Sequence, residues 1–128
     1  MRLLPDTHIL LWLAIDSDRL AKPTGDLLSD RANEVAFSTA SIWEIAIKTA
    51  RGRARFEVDP RVVRTGLIDN GFVELPMTGL HAIEAAALPP IHHDPFDRML
   101  VAQARVEQVL LLTSDRTIAT YAGPIRLI

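Results

Sequence analysis

Asp6, Glu44, Asp97 and Asp115 are the acids whose placement suggests chemistry. Each closes a short apolar run or sits in the first turn of an amphipathic one: "RLLPD", "STASIWE", "DPFD" and "LLLTSD". Carboxylates gathered in one place repel each other, so without a cation at least one keeps its proton at neutral pH. The chain has no cysteine, and a donor set made of oxygen alone is the kind that Mg²⁺ or Mn²⁺ prefers. Such an ion orients a water, lowers its pKa and steadies the charge that develops on a phosphate; where two ions act they sit roughly 3.5–4 Å apart. The implied chemistry is metal-dependent phosphodiester hydrolysis. No Ser-His-Asp arrangement or phosphate-binding glycine loop competes with it.

Each acid also has a plainer explanation. Asp6 follows a strand, where aspartate commonly starts a turn. Glu44 lies three residues after Ser41, the spacing of a capping box. Asp94-Pro95 makes a strong N-cap and first-position pair, which leaves Asp97 free to favour the helix dipole, an effect of roughly 0.3–1 kcal/mol. Asp115 could cap the short segment after it. Helix caps, however, have no need to converge on one end of one sheet. Asp94 is therefore assigned the structural role of cap, and Asp97, one turn further in, the chemical one. His92 and His93 could be metal ligands, but adjacent histidines point in two directions, so they read rather as loop or surface residues. His8 and His81 have no partner at ligand spacing and read the same way.

These acids need elements to hold them. "RLLP" (2–5) is a short apolar strand, and "THILLWLAI" (7–15) a helix. "KPTGDLLSDRAN" (22–33) reads as a short helix and "EVAFS" (34–38) as a strand. "ASIWEIAIKTARGR" (40–53) is an amphipathic helix, and "DPRVVRTGLIDNG" (59–71) a helix with Asp59 as N-cap and Pro60 at N1. "FVEL" (72–75) is a strand closed by Pro76; "TGLHAIEAAAL" (78–88) and "DPFDRMLVAQARVEQ" (94–108) are helices. "VLLL" (109–112) is a fully apolar strand, "DRTIATYA" (115–122) a short helix, and "PIRLI" (124–128) an edge strand. Helices alternate with short, continuously apolar strands, the pattern of a parallel sheet covered on both faces. Ligands bind such sheets beyond the carboxyl ends of the strands, near a switch in strand order. All four acids are expected at that rim.

The length, 128 residues, suits one α/β domain, and 48% hydrophobic residues suffice for a core. The absence of cysteine excludes disulfides and cysteine zinc sites, and fits a reducing cytoplasm. "LLPDTHILLWLAI" is interrupted by Asp6 and His8, and no cleavage pattern follows it, so neither a signal peptide nor a membrane span is expected. The net charge of −2 is not that of a generic basic nucleic-acid binder. Of 14 basic residues only Lys22 and Lys48 are lysines. Lys48, Arg51, Arg53 and Arg55 cluster in "KTARGRARF". They read as an RNA-contacting patch or as a solvated helix end. Trp12 and Trp43 are expected as core or dimer contacts rather than base-stacking platforms.

In this order, "LLPDTHILLW", "STASIWEIAIK", "HHDPFDRMLVAQA" and "LLTSD" resemble the PIN-domain ribonucleases, more narrowly the VapC-type toxins of toxin–antitoxin pairs. The likeness covers nearly the whole chain and is most specific around "DPFDRMLVAQA". It implies a PIN-like three-layer α/β/α fold with about five parallel strands over residues 1–128. It implies Mg²⁺ or Mn²⁺ held by Asp6 and Asp97 directly, with Glu44 and Asp115 acting partly through water, and with Thr7, Thr113 and Ser114 supporting them by hydrogen bonds. It further implies endonucleolytic cleavage of RNA leaving a 5′-phosphate, a homodimer, and neutralisation by a small DNA-binding antitoxin in a hetero-oligomer. Pro5 stands where family members tend to carry another aliphatic residue, which raises the expectation of a bent strand end and a displaced Asp6.

Rival functions fit less well. A haloacid-dehalogenase-like phosphatase needs a second aspartate where His8 stands and a downstream lysine; no lysine follows Lys48. A signalling receiver domain lacks its lysine for the same reason. The serious alternative is a catalytically weak PIN domain that serves only as a binding partner in antitoxin-mediated repression.

Overall fold

The computed structural model describes residues 1–15, 17–52 and 58–128. Its strands are β1 (Arg2–Pro5), β2 (Glu34–Ser38), β3 (Val73–Leu75), β4 (Leu110–Thr113) and β5 (Ile125–Leu127), all parallel, in the order β3-β2-β1-β4-β5. The helices are α1 (Thr7–Ile15), α2 (Lys22–Ser29), α3 (Thr39–Ala50), α4 (Pro60–Asp69), α5 (Gly79–Ala87) and α6 (Pro95–Glu107). The leucines of β1 and β4 run consecutively because both faces of these strands are covered. Leu4, Ala36 and Leu111 pack with Leu88, Leu100, Val101 and Ala104 from the α5–α6 side. Leu3, Val35, Phe37 and Leu112 meet Ile9, Leu10, Leu28, Ile45 and Leu67 from the α1, α2, α3 and α4 side. Helices cover the two faces of the sheet, as expected. Fully burying one such leucine contributes about 1.5–3 kcal/mol.

Strand order reverses between β1 and β4, so the crevice beyond their carboxyl ends lies between Asp6 and Thr113. Pro5 does not disturb this edge. Asp6 donates its N–H to the carbonyl of Leu112 at 2.9 Å, so alternation turns the missing N–H of Pro5 toward β2. The β1–β2 partners are Arg2 with Glu34 and Leu3 with Val35, short of Pro5. The β4 side keeps its register through Pro5 and Leu112.

Several boundaries differ from expectation for identifiable reasons. Helix α3 starts at Thr39, because the Ser38 hydroxyl accepts the N–H of Ala40 and is the N-cap. Ser41 is thus inside the helix, and the Ser41–Glu44 capping box does not exist. Helix α6 stops at Glu107 because Gln108 adopts φ 54°, and Val109 then bonds back to Ala104. The segment expected as a helix over 115–122 is a single 3₁₀ turn, Ile118–Thr120. There the Asp115 carboxylate takes the N–H groups of Thr117 and Ile118, the local competition that makes aspartate favour turns. His81 is buried, not a surface residue: Nδ1 accepts the N–H of Thr78, and Nε2 lies 2.9 Å from Glu107 across the α5–α6 contact. No helix among the described residues is long and apolar enough to cross a membrane.

Candidate metal centre

Asp6 ends β1 and caps α1. One carboxylate oxygen accepts the N–H of Ile9 at 3.0 Å, and the other accepts the Thr113 hydroxyl at 2.7 Å. The side chain is buried, and burial raises its pKa against the pull of those two hydrogen bonds. Thr113 closes β4, and its hydroxyl oxygen also accepts the N–H of Asp115 at 3.0 Å. One threonine thereby links the acid after β1 to the acid after β4. Thr7 donates to the Ser41 hydroxyl at 3.0 Å, which ties the start of α1 to the first turn of α3. Thr113 thus contacts two of the acids, whereas Thr7 reaches α3 through Ser41. Ser114 does not join this network. It is exposed, one residue beyond the strand end, where alternation turns it away from Thr113.

Glu44 is 2% exposed. Its Oε2 pairs with Lys48 Nζ at 2.5 Å, while Oε1 has no hydrogen-bond partner. A buried carboxylate oxygen left without a donor is costly, about 1–3 kcal/mol or more for a charged group. A cation beside that oxygen would remove the cost. Asp97 stands on the first turn of α6, and Asp94, as expected, is the N-cap, accepting from Phe96 and Asp97 N–H groups. Burial first, then the charges of Asp94, Glu44 and Asp6, pushes the Asp97 carboxyl up to about 7. Asp6 and Glu44 are thus close enough for their charges to act on Asp97. Burial also acts to raise Asp115, but the Thr117 N–H, His92 and the Ile118 N–H outweigh it and lower its pKa.

Sequence reasoning misplaced His92 as well as His81. His92 turns inward while His93 is exposed. Its Nε2 lies 3.3 Å from Asp97 Oδ2 and 3.2 Å from Asp115 Oδ2. Among the described residues, the donor atoms that come within 4.8 Å of one another at metal-ligand spacing belong to His92, Asp97 and Asp115. Its signal in the sequence was its position two residues before an aspartate N-cap. From there the ring can reach the N–H of the cap residue, and Nδ1 does accept it from Asp94 at 3.0 Å.

The basic cluster is only partly visible. Lys48 is engaged on Glu44 rather than turned to solvent, and Arg51 is the exposed C-cap of α3. Arg53 and Arg55 lie outside the described residues. Trp43 is 55% exposed, so it is not core, and its ring meets Phe96 edge-on at 5.3 Å. Trp12 is half-buried against the cluster of Leu3, Ile9 and Leu28.

Asp6 and Asp115, which follow β1 and β4, are joined through Thr113, His92 lies beside both Asp97 and Asp115, and the charges of Asp6 and Glu44 act on Asp97. The PIN domain family matches residues 3–124. The chain belongs to the PIN domain family. Similar solved structures share the PIN fold at low identity. A chain of the VapBC2 complex from Rickettsia felis, bound to a DNA fragment from their promoter, has a TM-score of 0.75 at 11% identity, covering 100% of this chain and 99% of that one. A chain of DNA-bound VapBC from Salmonella typhimurium gives 0.70 at 16%, with 98% and 97% covered. A chain of VapBC-1 from nontypeable Haemophilus influenzae gives 0.66 at 15%, with 99% and 98% covered. A search of curated proteins finds no significant match to this PIN domain.

Proposed function

We propose that this PIN domain is a Mg²⁺- or Mn²⁺-dependent endoribonuclease and the toxin of a VapBC-type toxin–antitoxin pair, with Asp6, Glu44, Asp97 and Asp115 as its catalytic carboxylates. The observation that carries the proposal is the orphaned Glu44 Oε1, buried beside Asp6 and Asp97 at the strand switch. An all-oxygen set in that position fits a hard divalent ion. When bound, the ion would supply Lewis acidity toward a phosphodiester and a more acidic attacking water. Asp6 and Asp97 are proposed to bind it directly, and Glu44 and Asp115 partly through water. The protein's own contribution is placement. Thr113 holds Asp6, the Asp94 cap fixes the turn that carries Asp97, and the Thr117 and Ile118 N–H groups hold Asp115. The proposed RNA-binding group is Lys48, Arg51, Arg53 and Arg55.

The partner surfaces are proposals as well. A mainly apolar groove of ≈ 720 Å³ runs between α1, α2 and α4, lined by Leu13, Ile15, Leu28, Val62 and Phe72 among others. It supports docking of an antitoxin tail that is disordered when free and folds on binding. Leu11 is buried in the core and is not part of that surface. An arginine from the tail would then pair with the acid rim and compete with metal. Exposed Trp43, Met77, Leu80 and Ile83 support a homodimer.

The test is cleavage of single-stranded RNA by the purified chain. Mg²⁺ or Mn²⁺ should support it, chelator should stop it, and Asp97→Asn should abolish it. Expression alone should halt growth, Asp6→Ala should relieve the arrest, and the cognate antitoxin should silence it. Antitoxin binding with no metal-dependent cleavage would instead identify the catalytically weak binding partner.

A further inference from the structure

Gln103 is a fully buried amide on α6, set among Leu100, Val101, Ala102 and Ala104. An apolar side chain would fill that space without the cost of burying a polar group. The amide spends its polar atoms on other elements. Its Oε1 accepts the Ser38 hydroxyl at 2.5 Å, and its Nε2 donates to the carbonyl of Pro76 at 3.4 Å. Ser38 is equally buried, and its oxygen also takes the Ala40 N–H as the N-cap of α3. Thr39, the first residue of α3, accepts the Met77 N–H at 3.1 Å. The start of α3 is thus bound to α6 and to the connection between β3 and α5.

A second contact joins the same two helices. The ring of Trp43 on α3 meets the ring of Phe96 on α6 edge-on at 5.3 Å. Ser38 faces Gln103 and Trp43 faces Phe96, so α3 and α6 run in opposite senses along their contact. The two points lie roughly 8–11 Å apart along the helices, at 1.5 Å per residue. One point alone would leave a helix free to pivot; two points fix its slide and its turn. Glu44 and Asp97 each follow one member of the ring pair. Apolar contacts tolerate sliding, whereas a hydrogen bond prefers one distance and direction, and a satisfied buried network favours a single arrangement.

We infer that Gln103 is a positioning residue: its buried amide and the Trp43–Phe96 ring pair brace α3 against α6 at two points, and so fix Glu44 relative to Asp97. The consequence for a bound ion rests on the proposed metal site; the brace between the helices does not.

The test has two arms. The first is NMR of the metal-free full chain. In the wild type, NOEs should connect the rings of Trp43 and Phe96, and the side-chain amide hydrogens of Gln103 should exchange with solvent more slowly than those of exposed Gln108. Equal exchange at the two glutamines would overturn the inference without any variant. Gln103→Met keeps the length of the side chain and removes both bonds, and the ring NOEs should be lost or strongly weakened. Val101→Ala, a core change on the same helix, should lower the melting temperature and keep them. Unchanged ring contacts in Gln103→Met would refute the brace. If that variant does not fold, Ser38→Ala breaks the same bond from α3 and is read in the same way.

The second arm is Mg²⁺ affinity by calorimetry. Gln103→Met should bind about tenfold more weakly, the usual scale for lost support behind a ligand, while Val101→Ala binds as the wild type does. Ser38→Ala removes the cap as well, so the double variant with Gln103→Met isolates the shared bond: it should bind no more weakly than Ser38→Ala alone. Losses that add, or an equal loss in Val101→Ala, would overturn the positioning role. If the wild type binds no Mg²⁺ or Mn²⁺ at all, the metal proposal fails, while the ring contact still decides the brace.

Discussion

A carboxyl pushed up to about 7 ties metal capture to the stability of the fold. Asp97 must lose its proton to hold a cation, so Mg²⁺ affinity should climb as pH rises toward about 7 and level off above it. Stability moves the other way. The folded pKa lies above the unfolded value, taken as 3.8, so the folded chain binds more protons than the unfolded one between those values. Stability of the metal-free protein should therefore fall as pH rises through that window, by at most about 1.4 kcal/mol per pH unit. Asp97→Asn should flatten this slope and raise the metal-free melting temperature above pH 7; an unchanged slope would contradict the shift. Asp94→Ala should act differently, destabilising by about 0.5–2 kcal/mol, because it removes the cap bonds to Phe96 and Asp97. Denaturant unfolding of both variants separates the two roles. The acids were legible in the sequence because strand ends and helix starts determine where they sit. His92 was not, because its part depends on which way a ring turns, and only the N–H of Asp94 decides that. Glu44 was nearly explained away by Ser41, since spacing alone could not show that Ser38, three residues earlier, holds the cap.

Arg98 is the residue on which one whole element depends. Its guanidinium serves four backbone carbonyls between Ala85 and His92, plus the Tyr121 hydroxyl at 3.4 Å. The planar fork of arginine can reach these together, and a lysine ammonium cannot. Arg98→Lys should therefore destabilise by about 1–3 kcal/mol and loosen the 88–93 connection while α6 stays folded. Hydrogen exchange should show faster exchange of the His92 amide, with the amides of Leu100 to Ala104 still protected. Uniform loss of protection would mean that Arg98 instead supports the whole core. Strands and long helices were legible because apolar runs and Asp-Pro starts are local signals. The ends were less so. Gln108 adopts a left-handed conformation that no glycine announced, and the carboxylate of Asp115 captures amides that a helix from 115 to 122 would have needed. The groove between α1, α2 and α4 had no signal in any single helix, because it is made of gaps between them.

At the scale of the molecule, the alternation of elements predicted a parallel sheet but not its order. Which strand lies beside β1 is settled by packing between distant segments, here Leu3, Leu4 and Pro5 against Leu110, Leu111 and Leu112. That pairing spans most of the sequence, a non-local contact of the kind that forms slowly. It also sets when the site can exist. Thr113, which holds Asp6, and Asp115 are made more than a hundred residues after Asp6 itself. A chain arrested after Gln108 lacks β4, leaves Leu4 without Leu111 and Leu3 without Leu112, and should show no cooperative melting and bind no Mg²⁺ by calorimetry. For an enzyme proposed to cut RNA, this order of assembly would be a safeguard: a polypeptide not yet extended through β4 would be inert, and the message that encodes it would not be exposed to a half-made product.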